Sequence, residues 1–298
     1  MKKRNGRTAP IRRMDNIQGW LSILPVLLII LVIRGYPIAF GVAKSFTNWD
    51  GLFRSNFIGL RNYVRILTQG QFWELLSNNL ILLAFIPIQL FLGLVVAMLL
   101  YEEIPGSKFY RACYYLPQVL SALSVGYLFS ILFGLNGPIN QLAASLGLMQ
   151  EPVYWLGSRA TALGVIIFCL IWINIGWQGM LFLGAMTQIS PDIFEAARLD
   201  GAGYWTRTFK IMLPLLVPTV EYSCITSVMW TFTGLYSLIF SITGGGPGYG
   251  TTTIDYMIYL KAFRGNSEFG YACALSVILM LIVLIFTVIQ MRASKRAQ

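Results

Sequence analysis

Long apolar runs separated by short polar intervals set the pattern of this chain. Six runs, at about 19–43, 76–100, 112–133, 160–184, 213–242 and 269–291, are each long enough to cross a bilayer as a helix. A spanning segment must satisfy its backbone internally, so the pattern predicts an all-α membrane protein, a bundle of six transmembrane helices. The runs are not uniformly apolar. The first carries Pro25, Arg34 and Pro37, the second Pro87 and Gln89, the third Pro117, Gln118, Ser121, Ser124 and Ser130, and the fifth Glu221. Polar side chains inside a span face protein or water rather than lipid. The bundle therefore reads as one with a hydrated or moving interior, not as a simple anchor.

The polar intervals differ in character. The interval 44–75 is rich in aromatics, and its stretch FIGLRNYVRIL is amphipathic, as suits a segment lying along the membrane surface. The interval 185–212 holds an ordered segment, PDIFEAARLDGAG. Asp192 with Glu195 three residues on makes a capping box, and Ser190 as cap with Pro191 at the first helical position is an equally good start. Ile193, Phe194 and Ala197 form an apolar stripe at helical spacing, and Gly201 is a natural stop. A short amphipathic helix in a polar loop needs a surface against which to bury that stripe.

Composition and charge narrow the classes. Charged residues make up 11% of the chain, against about 25% in soluble proteins. The net charge of +10 reflects its membrane topology rather than an affinity for nucleic acid. With the N-terminus inside, the intervals on that side carry 14 of the 22 Lys and Arg, and the opposite side carries 7. Basic residues favour the cytoplasmic side, so both termini, the basic tails 1–18 and 292–298, and the 185–212 loop are placed in the cytoplasm. The chain has no histidine, and its four cysteines have no disulfide or metal spacing, so no metal site, cofactor or catalytic constellation is expected. Gly106-Ser107-Lys108 does not make a nucleotide-binding loop, and the chain is not read as an enzyme. Driven transport would take its energy from an ion gradient or from a partner. Arg34 and Glu221 are the thin support for a stand-alone ion-coupled secondary transporter.

The loop motif separates these alternatives. Glu195-Ala196-Ala197, then Asp200-Gly201-Ala202, then Phe209, Ile211, Leu213, Pro214 and Pro218 resemble the loop of permease subunits in bacterial binding-protein-dependent ABC importers. Thr243 to Pro247 (TGGGP), Thr251, the segment IYLKAF and the start of the last span resemble the carbohydrate branch of that family, in its compact six-span form. The resemblance implies one six-span permease domain at 19–291, in the bacterial cytoplasmic membrane, forming half of a pathway for a carbohydrate, expected to be an oligosaccharide. It implies as partners a second permease subunit in a heterodimer, an ABC ATPase dimer, and an extracytoplasmic solute-binding protein. Ile193, Phe194, Glu195, Ala196, Ala197, Asp200, Gly201 and Ala202 would then form a coupling helix, its stripe filling a groove of the ATPase.

Three further groups are candidates for contact. In the fourth span Asn174, Trp177 and Gln178 set amides beside an indole, a combination suited to sugar hydroxyls and ring faces, and Trp230 and Tyr236 extend it. Glu221 is a costly charge within its span unless it is shielded, and is a pathway candidate. Gly244, Gly245, Gly246 and Pro247 are candidates for contact with the binding protein.

Overall fold

The apolar runs form helices that a few prolines and glycines divide. The computed structural model describes residues 13–102, 105–265 and 267–297, with side chains from 20 to 293, so most of the N-terminal tail lies outside it. Helix α1 (Arg13–Ile30) passes through a π turn at Leu31–Gly35 into α2 (Tyr36–Ser45). Helices α4 (Gly70–Leu82) and α5 (Phe85–Tyr101) form the second span, preceded by the short α3 (Arg61–Thr68). Helices α6 (Ser107–Val119), α7 (Ala122–Leu132) and α8 (Pro138–Ser145) lead to the long α9 (Arg159–Met186). The loop helix is α10 (Pro191–Leu199). Then α11 (Tyr204–Arg207) runs through a second π turn, Thr208–Met212, into α12 (Leu213–Thr233). Helices α13 (Tyr236–Ile242), α14 (Ile254–Phe263) and α15 (Phe269–Ala297) complete the chain.

Both π turns end two residues before a proline, Pro37 and Pro214. Proline offers no N–H to the carbonyl one turn back and its ring crowds that carbonyl, so the preceding turn widens.

Two spans depart from the sequence expectation. The third, expected as one rod over 112–133, is a pair of helices, α6 and α7, bent by 93°. Leu120 and Ser121 are extended, with ψ of 148° and 131°, three residues after Pro117 has removed a helix donor. The fifth, expected to reach 242, ends at Thr233, and Gly234 and Leu235 separate it from α13. The amide of Tyr236, at the start of α13, donates to Asp255 Oδ2 of α14 at 2.7 Å, which satisfies one of the free donors that the break creates.

Helix α9 is the centre of the bundle, packed against α5, α6 and α12. Small residues let the backbones close up. A Cβ on Gly93 of α5 would collide with the Cβ of Gln178, and one on Gly176 would run into the carbonyl oxygen of Tyr114 on α6. Near the loop helix, Val96, Ala97, Leu100, Phe182, Leu183, Met186, Met212 and Leu216 form a buried cluster joining α5, α9 and α12. Helix α1 is the opposite case. From Trp20 to Ile33 its large apolar side chains are exposed all round, as befits a surface that meets lipid or another membrane chain.

Candidate functional site

Four of the pathway candidates converge. Asn174, Trp177 and Gln178 of α9 and Trp230 of α12 line one cavity of about 300 Å³, with Gln118, Thr226 and Ser227 as further polar lining. Among the described residues, no charged side chain lines it. The break in the third span positions this wall, because Gln118, Leu120 and Ala122 flank the bend and face the cavity. Asn174 Nδ2 bonds back to Leu170 O at 2.8 Å, which leaves its oxygen for the cavity. Gln178 is 2% exposed, held between Ser223 and Ser227. The other two pathway candidates lie elsewhere. Glu221 is half-buried on α12 and is not part of the lining. Tyr236 packs against Tyr256 and Tyr259 with tilted rings, its ring centroid 4.6 Å from that of Tyr259. Helix α13 reaches the cavity through Leu238, whereas Tyr236 is turned into the cluster of aromatic rings on α14. The cavity also employs residues that the sequence reading left out. Thr226 and Ser227 look like ordinary small polar residues of a span, and only the packing of α12 on α9 brings them to the site.

The loop helix is capped by Ser190, whose Oγ accepts from the Asp192 amide at 3.4 Å, with Pro191 at the first position. Its C-terminus closes on Gly201 at φ +80°, with Ala202 N bonded to Ala197 O at 2.9 Å and Gly201 N to Arg198 O at 3.0 Å. This double closure needs a left-handed residue, which glycine adopts without strain. The expected stripe divides. Ala197 is buried and Phe194 half-buried against its own chain, with the Phe194 ring 6.5 Å from that of Tyr101 at the end of α5. These two therefore pack on their own chain, one of the two covers that the spacing left open, and not in the partner's groove that the resemblance implied for them. Ile193 and Leu199 are the exposed apolar residues, at 42% and 90%, beside exposed Glu195, Ala196, Asp200 and Gly201, with Ala202 half-buried. Phe194 packs against the buried cluster of α5, α9 and α12 and so ties α10 to three spans.

On the opposite face the TGGGP run is partly built into the fold. Gly244 and Pro247 are exposed and Gly246 half-buried, whereas Gly245 and Thr251 to Ile254 are buried. Thr251 Oγ1 and Thr252 Oγ1 donate to the carbonyls of Gly246 and Gly245 at 2.8 and 3.0 Å. Asn78 Nδ2 donates to the carbonyls of Tyr249 and Thr252, both at 2.9 Å, and Asn78 Oδ1 accepts from Arg159 Nε at 3.0 Å. Asn79 Nδ2 donates to Thr231 O at 2.9 Å and its Oδ1 accepts from Ile254 N at 3.0 Å. Two adjacent asparagines thus fasten the loop to α4, α9 and α12. A second fastening joins α3 to α14 and α15, where Glu268 accepts from Arg65 at 2.6 Å and Lys261 at 2.9 Å. Desolvation pushes the Glu268 carboxyl up, but those two cations outweigh it and hold it below the ordinary glutamate range.

Comparison with known proteins agrees with this architecture. The chain is 34% identical, over 95% of its length and 97% of the relative's, to a multiple sugar-binding transport system permease protein of Streptococcus mutans. It is 30% identical to a lactose transport system permease protein of Rhizobium radiobacter, with 96% of each chain covered. Its fold matches a chain of a bacterial ABC transporter involved in import of the acidic polysaccharide alginate, with a TM-score of 0.78 at 23% identity, over 96% of this chain and 99% of that one. Residues 89–297 match the family model of binding-protein-dependent transport system inner membrane components. The matched region contains the cavity lining apart from Phe85, the capped loop helix and the TGGGP loop, and the chain belongs to that family.

Proposed function

We propose that the cavity between α6, α9 and α12 is this chain's share of a carbohydrate pathway through an ATP-driven importer. The lining carries the reading. It is uncharged, it offers amides and hydroxyls from Asn174, Gln178, Gln118, Thr226 and Ser227, and it sets the indoles of Trp177 and Trp230 beside them. Amides and hydroxyls exchange hydrogen bonds with sugar hydroxyls, and an indole face receives the apolar face of a sugar ring. The relatives named for sugar transport support the same solute class. A component of a binding-protein-dependent system does not act as a stand-alone ion-coupled carrier, so that alternative is withdrawn.

The remaining parts divide by face. The exposed side of α10, with Ile193, Glu195 and Leu199, is the docking surface for an ABC ATPase dimer on the cytoplasmic side, where both termini also lie. Gly244, Gly246 and Pro247 meet the extracytoplasmic binding protein, and buried Gly245 supports them from below. An open apolar groove lined by Tyr115, Trp177, Met180, Pro218 and Tyr222 borders the cavity at Trp177 and receives a second, different permease subunit.

Purification of the assembled transporter tests this reading. An ATPase and a second permease are expected in stoichiometric amounts, and the binding protein is expected to hold a sugar identifiable by mass spectrometry. In vesicles, Trp177→Ala and Trp230→Ala are each expected to slow uptake of that sugar about tenfold, equivalent to about 1.4 kcal/mol. Full uptake in both variants would remove the cavity from the pathway.

A further inference from the structure

A buried chain of polar side chains backs the cavity wall. Gln89 of α5 is 1% exposed, and its Nε2 donates to Ser227 Oγ of α12 at 2.8 Å. Gln178 Nε2 reaches the same oxygen at 3.5 Å, and Gln178 Oε1 accepts from Ser223 Oγ, one turn earlier on α12. Three spans meet in this chain. Gln178 and Ser227 line the cavity, whereas Gln89 stands behind them.

The donor and acceptor count gives this chain a direction. A serine hydroxyl has one proton and two lone pairs. One lone pair of Ser227 Oγ accepts from Gln89 and a longer 3.5 Å contact brings the Gln178 amide to the other, so the proton is what the hydroxyl has left to offer. No hydrogen bond from that proton is formed among the described residues, where Gln89 Oε1 is also a buried acceptor without a partner, and the cavity is the open side. Gln178 Nε2 has a second N–H in the same position. Gln118, which also lines the cavity, has a buried Oε1 with no partner among the described residues. Without Gln89, the Ser227 hydroxyl is free to turn back to a carbonyl of its own helix, as serines within helices do.

We propose that Gln89 is a positioning residue for solute recognition: by donating to Ser227 from behind, it fixes that hydroxyl as a hydrogen-bond donor to an oxygen of the passing solute. The proposal rests on the reading of the cavity as the pathway, and the test separates the two.

In the assembled transporter in vesicles, Ser227→Cys is introduced into a chain whose native Cys113, Cys169, Cys224 and Cys273 have been replaced. The probe is a small water-soluble methanethiosulfonate, whose reaction rate follows the thiolate fraction. An N–H donated by Gln89 stabilises the thiolate, so Gln89→Met in the same chain is expected to raise the pH midpoint of the reaction by about one unit, the size of one hydrogen bond to an ionised group. No charged side chain among the described residues lines the cavity to contribute a titration of its own. Equal midpoints with and without Gln89 would overturn the proposal, even if assembly or uptake suffered, because a packing role changes those and not the thiol. If the thiol introduced at position 227 failed to react from water at all, the pathway reading itself would fall. Should Gln89→Met not assemble, Gln89→Asn, whose shorter amide cannot reach position 227, is expected to move the midpoint in the same direction.

Discussion

Replacing Asn79 by leucine isolates what a single buried amide does for the loop between α13 and α14. The side chain is fully buried and bonds the Thr231 carbonyl at the end of α12 and the Ile254 amide at the start of α14. Leucine has a similar volume, so the change removes hydrogen bonds while leaving little void. It strands one buried acceptor and one buried donor, each at a cost of about 1–3 kcal/mol, or about 2–6 kcal/mol together. At about 2 °C per kcal/mol for a chain of this size, the melting point of the purified transporter is expected to fall by about 4–12 °C. Leu80→Ala, at the neighbouring position, is the control. Leu80 is exposed on the helix surface, and its truncation is expected to cost no more than about 0.5 kcal/mol in membrane or detergent. If Asn79→Leu melted within about a degree of the unaltered protein, the loop would not depend on that anchor and the reasoning would be wrong.

Three other outcomes are expected. Gly201→Val forces a β-branched residue to φ +80° at the close of α10, a strain of about 1–2 kcal/mol, and is expected to leave insertion intact while uncoupling ATP hydrolysis from uptake; normal coupling would contradict the role given to that turn. Gly93→Leu drives a side chain into Gln178 and is expected to abolish assembly of the transporter in detergent, whereas Gly164→Leu, at a glycine with open space beside it, assembles normally; equal yields would refute the close approach of α5 and α9. The carboxyl of Glu268 titrates below its ordinary value of 4.5, so its clasp contributes above that pH and is lost as the pH falls through the lower folded value. Melting curves of the unaltered protein and Glu268→Gln should therefore differ at neutral pH and converge in acid, and a gap independent of pH would exclude the ion pairs as its cause.

Much of this was legible in the residues, and the failures have physical causes. Apolar length gave the membrane-crossing helices because a bilayer imposes one requirement on all of them. The amides and indole of WINIGWQGM pointed to the cavity because such groups are out of place in a lipid-facing helix. Gln89 was legible only as a polar residue facing protein or water, and Ser223 and Ser227 not at all, because a lone polar residue within a span is as often packing as site, and only the approach of α5, α9 and α12 joins the three. The 93° bend had a local sign in Pro117, but the same residue in a straight span would produce a modest kink. The stripe of α10 showed which residues share a face. It did not show that Phe194 would face Tyr101 of its own chain, because helical spacing carries no information about the neighbour.

Helix α9 also has the proportions of a lever. Its N-terminal end is held at Arg159 by Asn78 and Ser77, and four residues separate its C-terminal end from α10. At 1.5 Å per residue, Gln178 stands about 28 Å from that hold and Met186 about 40 Å. A rod turning about Arg159 moves in proportion to distance, so each ångström of travel at Met186 displaces Gln178 by about 0.7 Å. With the ATPase docked on α10 as proposed above, a push of a few ångströms there would reach the cavity wall with little loss, and a movement of that size is enough to exchange one set of hydrogen-bond partners for another.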